Sequence, residues 1–249
     1  MNPYFILFLL LGLSCGSFIN VVIYRYPRKI SLIKLNSFCP KCKASIPLYR
    51  NIPLISFILQ FGKCAQCKKS ISFRYPLVEA LIASLWCWGY IAYPNYENIF
   101  FILVVSILII IAFIDMDTMQ IPMPLIGLTS ICIIGYNFIF SEDIVFIFHG
   151  LLAGIGYLSF VLLFTWIIFR KQTLGFGDLF LIGVIGLWLG PIHVLLSIFL
   201  SGTIAMLIFI IISIKDGFNR NRSMAFGPYL VCSAILVKIL NLDLYQLLK

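Results

Sequence analysis

Negative charge is scarce in this chain of 249 residues. Nine Asp and Glu stand against eighteen Lys and Arg, and charged residues of both signs make up only 11%, against about 25% in soluble domains. So little charge excludes a disordered chain, which is poor in apolar residues and rich in charge. A soluble globular enzyme is excluded too. Hydrophobic residues make up 62% and the mean hydropathy is +1.07, more apolar surface than one core of this length can hide from water. No Lys or Arg lies in Met1–Tyr4, and no A-x-A-like site follows the first apolar run. Segment 1–24 therefore reads as a retained span rather than a cleaved signal peptide. The long apolar runs do not alternate as barrel strands would, so the expected fold is an all-α polytopic membrane protein.

What is there is a series of about eight apolar runs, each near the ~20 residues a bilayer needs: 3–24, 77–94, 98–114, 123–140, 145–169, 178–190, 192–214 and 226–245. Between Arg25 and Pro76 there are eleven Lys or Arg and no acid. A basic stretch of this kind can mark nucleic-acid binding, but between two spans it obeys the positive-inside rule, so no nucleic-acid partner is expected. The rule puts the N-terminus outside and loop 25–76 in the cytoplasm. It then puts Glu97 outside, Asp115–Pro124 inside, Glu142 and Asp143 outside, Arg170 and Lys171 inside, and Lys215–Arg222 inside. Lys238 and Lys249 fit it less well. The expected organisation is a first span (1–24), a basic cytoplasmic loop (25–76) and a membrane core (77–249). Gly150/Gly154 and Gly186/Gly190 have the spacing of close helix packing in lipid. No internal repeat is evident.

Within the loop, Cys39-Pro40-Lys41-Cys42 and Cys64-Ala65-Gln66-Cys67 form two C-x-x-C pairs separated by 21 residues. Four thiolates at this spacing suit a closed tetrahedral zinc site, which is structural because no coordination position stays open. A redox dithiol is the alternative, but one pair would suffice for it, and cytoplasmic disulfides are disfavoured. Such a staple would stabilise a loop too small and basic for its own core.

Four acids stand at the inner ends of spans: Glu79, Asp115, Asp117 and Asp178. An acid at membrane depth is costly, which marks a functional position. Asp178 follows Gly175-Phe176-Gly177 and serves equally as a helix-capping carboxylate. It shares a membrane face with Asp115, however, and two carboxyls in a dry site share a proton, one serving as base and the other as acid. Asp117 competes with Asp115 as the partner. If that segment is helical, the two point to different faces.

These residues resemble the type IV prepilin peptidases over nearly the whole chain. The resemblance rests on six ordered blocks: Gly16-Ser17-Phe18-Ile19-Asn20 running to Pro27, the two C-x-x-C pairs, Ile71 to Glu79, Asp115 with Ile121-Pro122, Gly175-Phe176-Gly177-Asp178, and Phe226-Gly227-Pro228-Tyr229-Leu230. It implies a multi-pass aspartic endopeptidase of the bacterial inner membrane, with Asp115 and Asp178 as the catalytic pair at the cytoplasmic face. The implied substrates are prepilins and pseudopilins, each with a short basic leader, then a Gly, then an apolar helix. It further implies N-methylation of the new N-terminus with S-adenosylmethionine, and a role for Glu79 in holding the new α-amino group. No G-x-G-x-x-G follows a strand, so the methyl donor rests on the resemblance alone. Two departures stand out: Met123 where the family usually carries Asp or Asn, and Phe180 where it usually carries Lys. A proton-coupled transporter would favour midplane acids and an inverted repeat. A zinc-loop scaffold would leave both aspartate motifs unexplained.

Overall fold

The computed structural model describes residues 2–33, 37–93, 96–140, 144–170, 175–219 and 222–240. Lys34, Glu142, Asp143, Lys171, Arg220, Asp243 and Lys249, on which part of the charge reading rests, lie outside them.

Almost every apolar run becomes a helix, because a backbone deprived of water satisfies its N–H and C=O groups most simply within one helix. The described residues form α1 (Pro3–Arg25), a 3-10 turn (Leu48–Arg50), α2 (Ile55–Leu59), α3 (Arg74–Ala92), α4 (Glu97–Thr118), α5 (Met123–Phe140), α6 (Ile144–Phe169), α7 (Phe176–Leu189), α8 (Pro191–Asp216) and α9 (Gly227–Leu240). No strand occurs among them, only two isolated bridges. Six helices (α1, α3, α4, α5, α6 and α8) are long and apolar enough to cross a membrane. α7 and α9 are apolar but only 14 residues long. The architecture is all-helical and of the multi-pass membrane type.

The chain divides into two compact units, Met1–Ile102 and Leu103–Lys249. In the first, α1 starts at an Asn2 cap, whose side chain accepts from the Tyr4 amide at 3.1 Å, with Pro3 in the first turn. It lies along α3 through two glycines one turn apart. A Cβ on Gly12 would come within 2.8 Å of the Ala83 Cα, and one on Gly16 within 2.7 Å of the Glu79 Cα. The small-residue spacing thus lets two backbones meet.

In the second unit, α6 and α7 meet through the glycines singled out by their spacing. A Cβ on Gly150 would collide with the Gly186 carbonyl, and one on Gly154 would lie 3.0 Å from the Ile182 carbonyl. α7 ends at Gly190, whose φ of +81° turns the chain directly into Pro191 and α8. α8 holds α9 through a buried hydrogen bond between the Ser197 and Ser233 hydroxyls at 3.0 Å.

The basic loop corrects one expectation. A short internal repeat is present: Cys39–Ile46 and Cys64–Ile71 both read C-x-x-C-Lys-x-Ser-Ile. The backbone repeats with it. The Cys39 amide donates to the Ala44 carbonyl and the Cys64 amide to the Lys69 carbonyl, both at 2.9 Å. The Lys after each pair takes a positive φ, 60° at Lys43 and 56° at Lys68. Eight residues are too few to show as hydrophobic periodicity, which is why the repeat emerges only from the turn geometry.

Gly186→Val is expected to cost about 1–3 kcal/mol by overpacking α6 on α7, while Gly202→Ala, where an added Cβ meets nothing within 4 Å, stays near wild type. Thermal unfolding of the detergent-solubilised chain measures the difference.

Candidate active site and metal centre

Asp115 lies one turn before the end of α4. Burial at 4% exposure separates it from Asp117, which is exposed two residues on. The segment is helical, so the two acids face different ways, and the buried one is Asp115. Its Oδ2 accepts the Gly227 amide at 3.0 Å, in a buried hydrogen bond between residues 112 apart. Gly227 is the first residue of α9, where the amides have no partner within the helix and the helix dipole presents partial positive charge. A Cβ there would stand 2.6 Å from Asp115 Oδ2, so any larger residue displaces that oxygen.

Asp178 is the third residue of α7 and is 6% exposed. Its Oδ2 accepts the Gly175 amide at 3.1 Å, which is one half of a capping box. The expected capping role is therefore present. It occupies one oxygen and leaves the carboxyl at a second helix start. Gly177 fits the two aspartate blocks together, since a Cβ there would come within 3.0 Å of the Ile121 side chain. Met123 and Phe180 are both exposed, so Phe180 points away from the buried carboxyl two residues before it.

Sequence reasoning missed the Gly227 amide as a partner of Asp115. The Phe226-Gly227-Pro228 block was visible, but nothing local says which acid it meets.

In the first unit, Glu79 is 7% exposed on α3. Its Oε2 accepts the Leu54 amide at 2.8 Å. Nearby, Asn20 Nδ2 donates to the Tyr75 carbonyl at 3.0 Å and to the Gly16 carbonyl at 3.3 Å. The polar residues of the first-span block thus hold α1 against the start of α3.

The four loop cysteines converge. One sulfur from each of Cys39, Cys42, Cys64 and Cys67 lies within 4.8 Å of all the others, and the Cys39 and Cys67 sulfurs are 4.0 Å apart. A tetrahedron with ~2.3 Å metal–sulfur bonds has edges of about 3.8 Å, so the set fits one metal ion after a small contraction. Lys41 joins the two turns by donating to the Ser70 carbonyl at 3.1 Å. Hydrogen bonds from the Cys67 and Gln66 amides bring the Cys64 thiol down to about 6. The Ala44 amide lowers Cys42 as well, but burial and the neighbouring sulfurs outweigh it and push that thiol up to about 11. One thiolate forms readily and the next resists forming beside it. A bound cation removes that conflict.

The site and fold together describe a membrane-type helical chain with paired buried carboxyls and a four-thiol loop. The model of the type IV leader peptidase family matches residues 102–211, and that of the bacterial peptidase A24 N-terminal domain matches residues 10–93. A prepilin leader peptidase/N-methyltransferase of Neisseria gonorrhoeae is 33% identical, over 93% of this chain and 88% of the relative. Proteins of the same name from Myxococcus xanthus and Legionella pneumophila are 33% and 32% identical, over 87% and 91% of this chain and 66% and 88% of their own lengths. No solved structure matches the chain. The chain belongs to the type IV leader peptidase family.

The thiol cluster gives a direct test. The purified protein is expected to hold about one metal ion per chain, and Cys39→Ser or Cys64→Ser to lose most of it, as read by elemental analysis.

Proposed function

We propose that this protein is an inner-membrane endopeptidase that removes the short basic leader from type IV prepilins and pseudopilins and then methylates the new N-terminus. The observation that carries the reading is two buried carboxyls, Asp115 near the end of α4 and Asp178 in the first turn of α7, each bonded to a separate backbone amide, in blocks that meet where Gly177 packs on Ile121. Family membership and the relatives' names support the substrate class.

In the proposed reaction the two carboxyls share one proton. The ionised one takes a proton from water, and the water oxygen attacks the scissile carbonyl carbon. The protonated one gives its proton to the carbonyl oxygen, which makes a gem-diol. The proton taken from water then passes to the departing nitrogen as the C–N bond breaks, and a gem-diol hydroxyl returns one proton to the pair. The leader leaves with a new carboxyl group and the mature chain with a free amine. No covalent enzyme intermediate is needed. Each backbone amide fixes one oxygen of its carboxyl, which leaves the other for water or substrate.

The topology proposed is eight spans, with the short α7 and α9 completing the six longer helices. The N-terminus lies outside, and the loop and dyad lie at the cytoplasmic face. Residues 1–24 form the first span, 25–76 a zinc-binding loop and 77–249 the peptidase core. Zinc is the metal that four thiolates select most naturally, and a closed site of this kind holds structure. Glu79 is assigned to methyl transfer, where its carboxylate would hold the new α-amino group; the Leu54 amide already fixes one of its oxygens. S-adenosylmethionine supplies the methyl group when bound. It carries cationic groups, and Glu79 matches it in charge.

Asp115→Asn and Asp178→Asn are each expected to lower cleavage of a prepilin-like substrate by roughly 10²–10⁴, while Asp117→Asn keeps most of the activity. Timed cleavage in detergent reads this, and full activity in either of the first two variants would reject the dyad. Gly227→Ala is expected to lower cleavage at least about tenfold, because its Cβ displaces the Asp115 oxygen, with thermal unfolding showing the fold retained.

A further inference from the structure

The loop between α1 and α3 holds an exposed apolar strip that neither the metal centre nor the carboxyl pair uses. Leu48, Tyr49, Ile58, Leu59 and Phe61 are all at least 67% exposed. They are outside the long helices, so their exposure is not that of a span facing lipid. α2 is also built inside out. Its buried residue is Ser56, whose hydroxyl accepts the Ile52 amide at 2.9 Å, while Ile55, Ile58 and Leu59 face outward.

Beside this strip lies a cleft of about 610 Å³, lined by Tyr49, Arg50, Gln60, Phe61, Lys63 and Lys68 among others. Three of these residues are cations, and no acid occurs anywhere in 25–76. Its lining thus mixes positive charge and one side-chain amide with the apolar side chains of Leu59 and Phe61, and it reaches Cys64 of the thiol cluster.

The fold fixes the depth at which this surface sits. Glu79 is the sixth residue of α3, a helix of membrane-crossing type. Its carboxylate accepts the amide of Leu54, the residue that opens α2. Five residues of helix rise about 7.5 Å, so the bond holds the start of α2 within the first turns of α3. Packing of Phe57 edge-on against Phe73, with ring centres 6.4 Å apart, ties the same two segments a second time. With α3 read as a span, a surface pinned to its first turns falls at the membrane boundary.

We propose that this surface binds the anionic phospholipid of the leaflet it faces. The headgroup phosphate occupies the cleft against Arg50, Lys63 and Lys68, and Ile58, Leu59 and Phe61 sit among the upper acyl carbons. Charge complementarity selects this occupant. A basic peptide would be repelled by the cleft, and a nucleic acid would leave the apolar strip uncovered. Juxtamembrane cations attract anionic lipid in just this way. The site is independent of the cleavage reading.

The test uses the full chain with a benzoylphenylalanine crosslinker in place of Leu59, in nanodiscs of equal phosphatidylcholine and phosphatidylglycerol. Mass spectrometry reads the adducts. Phosphatidylglycerol adducts are expected to exceed phosphatidylcholine adducts by roughly tenfold or more. The preference should vanish in the variant with Arg50→Gln, Lys63→Gln and Lys68→Gln, whose metal content and thermal unfolding confirm an intact fold. Lipid adducts without headgroup preference in the unsubstituted loop would overturn the cleft. Adducts to protein alone, or none, would overturn the lipid surface.

Discussion

A carboxylate buried among apolar helices needs a hydrogen-bond donor, and in this chain both donors are backbone amides at helix starts. Gly227 serves Asp115 and Gly175 serves Asp178. Much of the second unit follows from that requirement. The α9 start must reach the end of α4, so α9 is held from α8 by the Ser197–Ser233 bond. The first turn of α7 rests on Ile121 through Gly177, and its later turns lie against α6 through Gly150 and Gly186. At Gly150 and Gly186 backbone fills the space a Cβ would take, at Gly227 a carboxyl oxygen does, and at Gly177 the Ile121 side chain does.

The loop solves a different problem with different chemistry. It has too few buried apolar residues to form a core, so four sulfurs gather where one would expect a hydrophobic centre. Two turns of the same sequence bring them there, each with a lysine in the left-handed region just after its second cysteine. That conformation is uncommon outside glycine. It recurs at the same point because the turn must reverse the chain while both thiols face inward. Positive charge around the cluster offsets the negative charge of the thiolates, and the surplus lies toward the cleft beside α2.

The helices were legible in the sequence because long apolar runs have no other way to satisfy their backbones in a membrane. The gathering of the four cysteines was legible because two C-x-x-C pairs in one loop are rare, and the two aspartates stood out as acids at the ends of apolar runs. The Gly227 contact was not, since 112 residues separate it from Asp115 and no local pattern carries that pairing. The repeat of the cysteine turns was too short for periodicity to reveal. α2 escaped notice because it is a five-residue helix with its apolar side outward, a pattern that reads as irregular loop. The link from Glu79 to Leu54 escaped for a related reason: Leu54 has a φ of 58°, a conformation that nothing in leucine's own chemistry announces. The capping role read for Asp178 is present as its bond from the Gly175 amide.

The central claim is that Asp115 and Asp178 act as one unit holding a single proton. Infrared difference spectroscopy on the detergent-solubilised protein, comparing wild type with Asp115→Asn and with Asp178→Asn at neutral pH, counts protonated carboxyls through their C=O stretch. The account predicts one such band in wild type that disappears in either variant, because removing either partner dissolves the shared proton. A band that survives unchanged in both variants would contradict it.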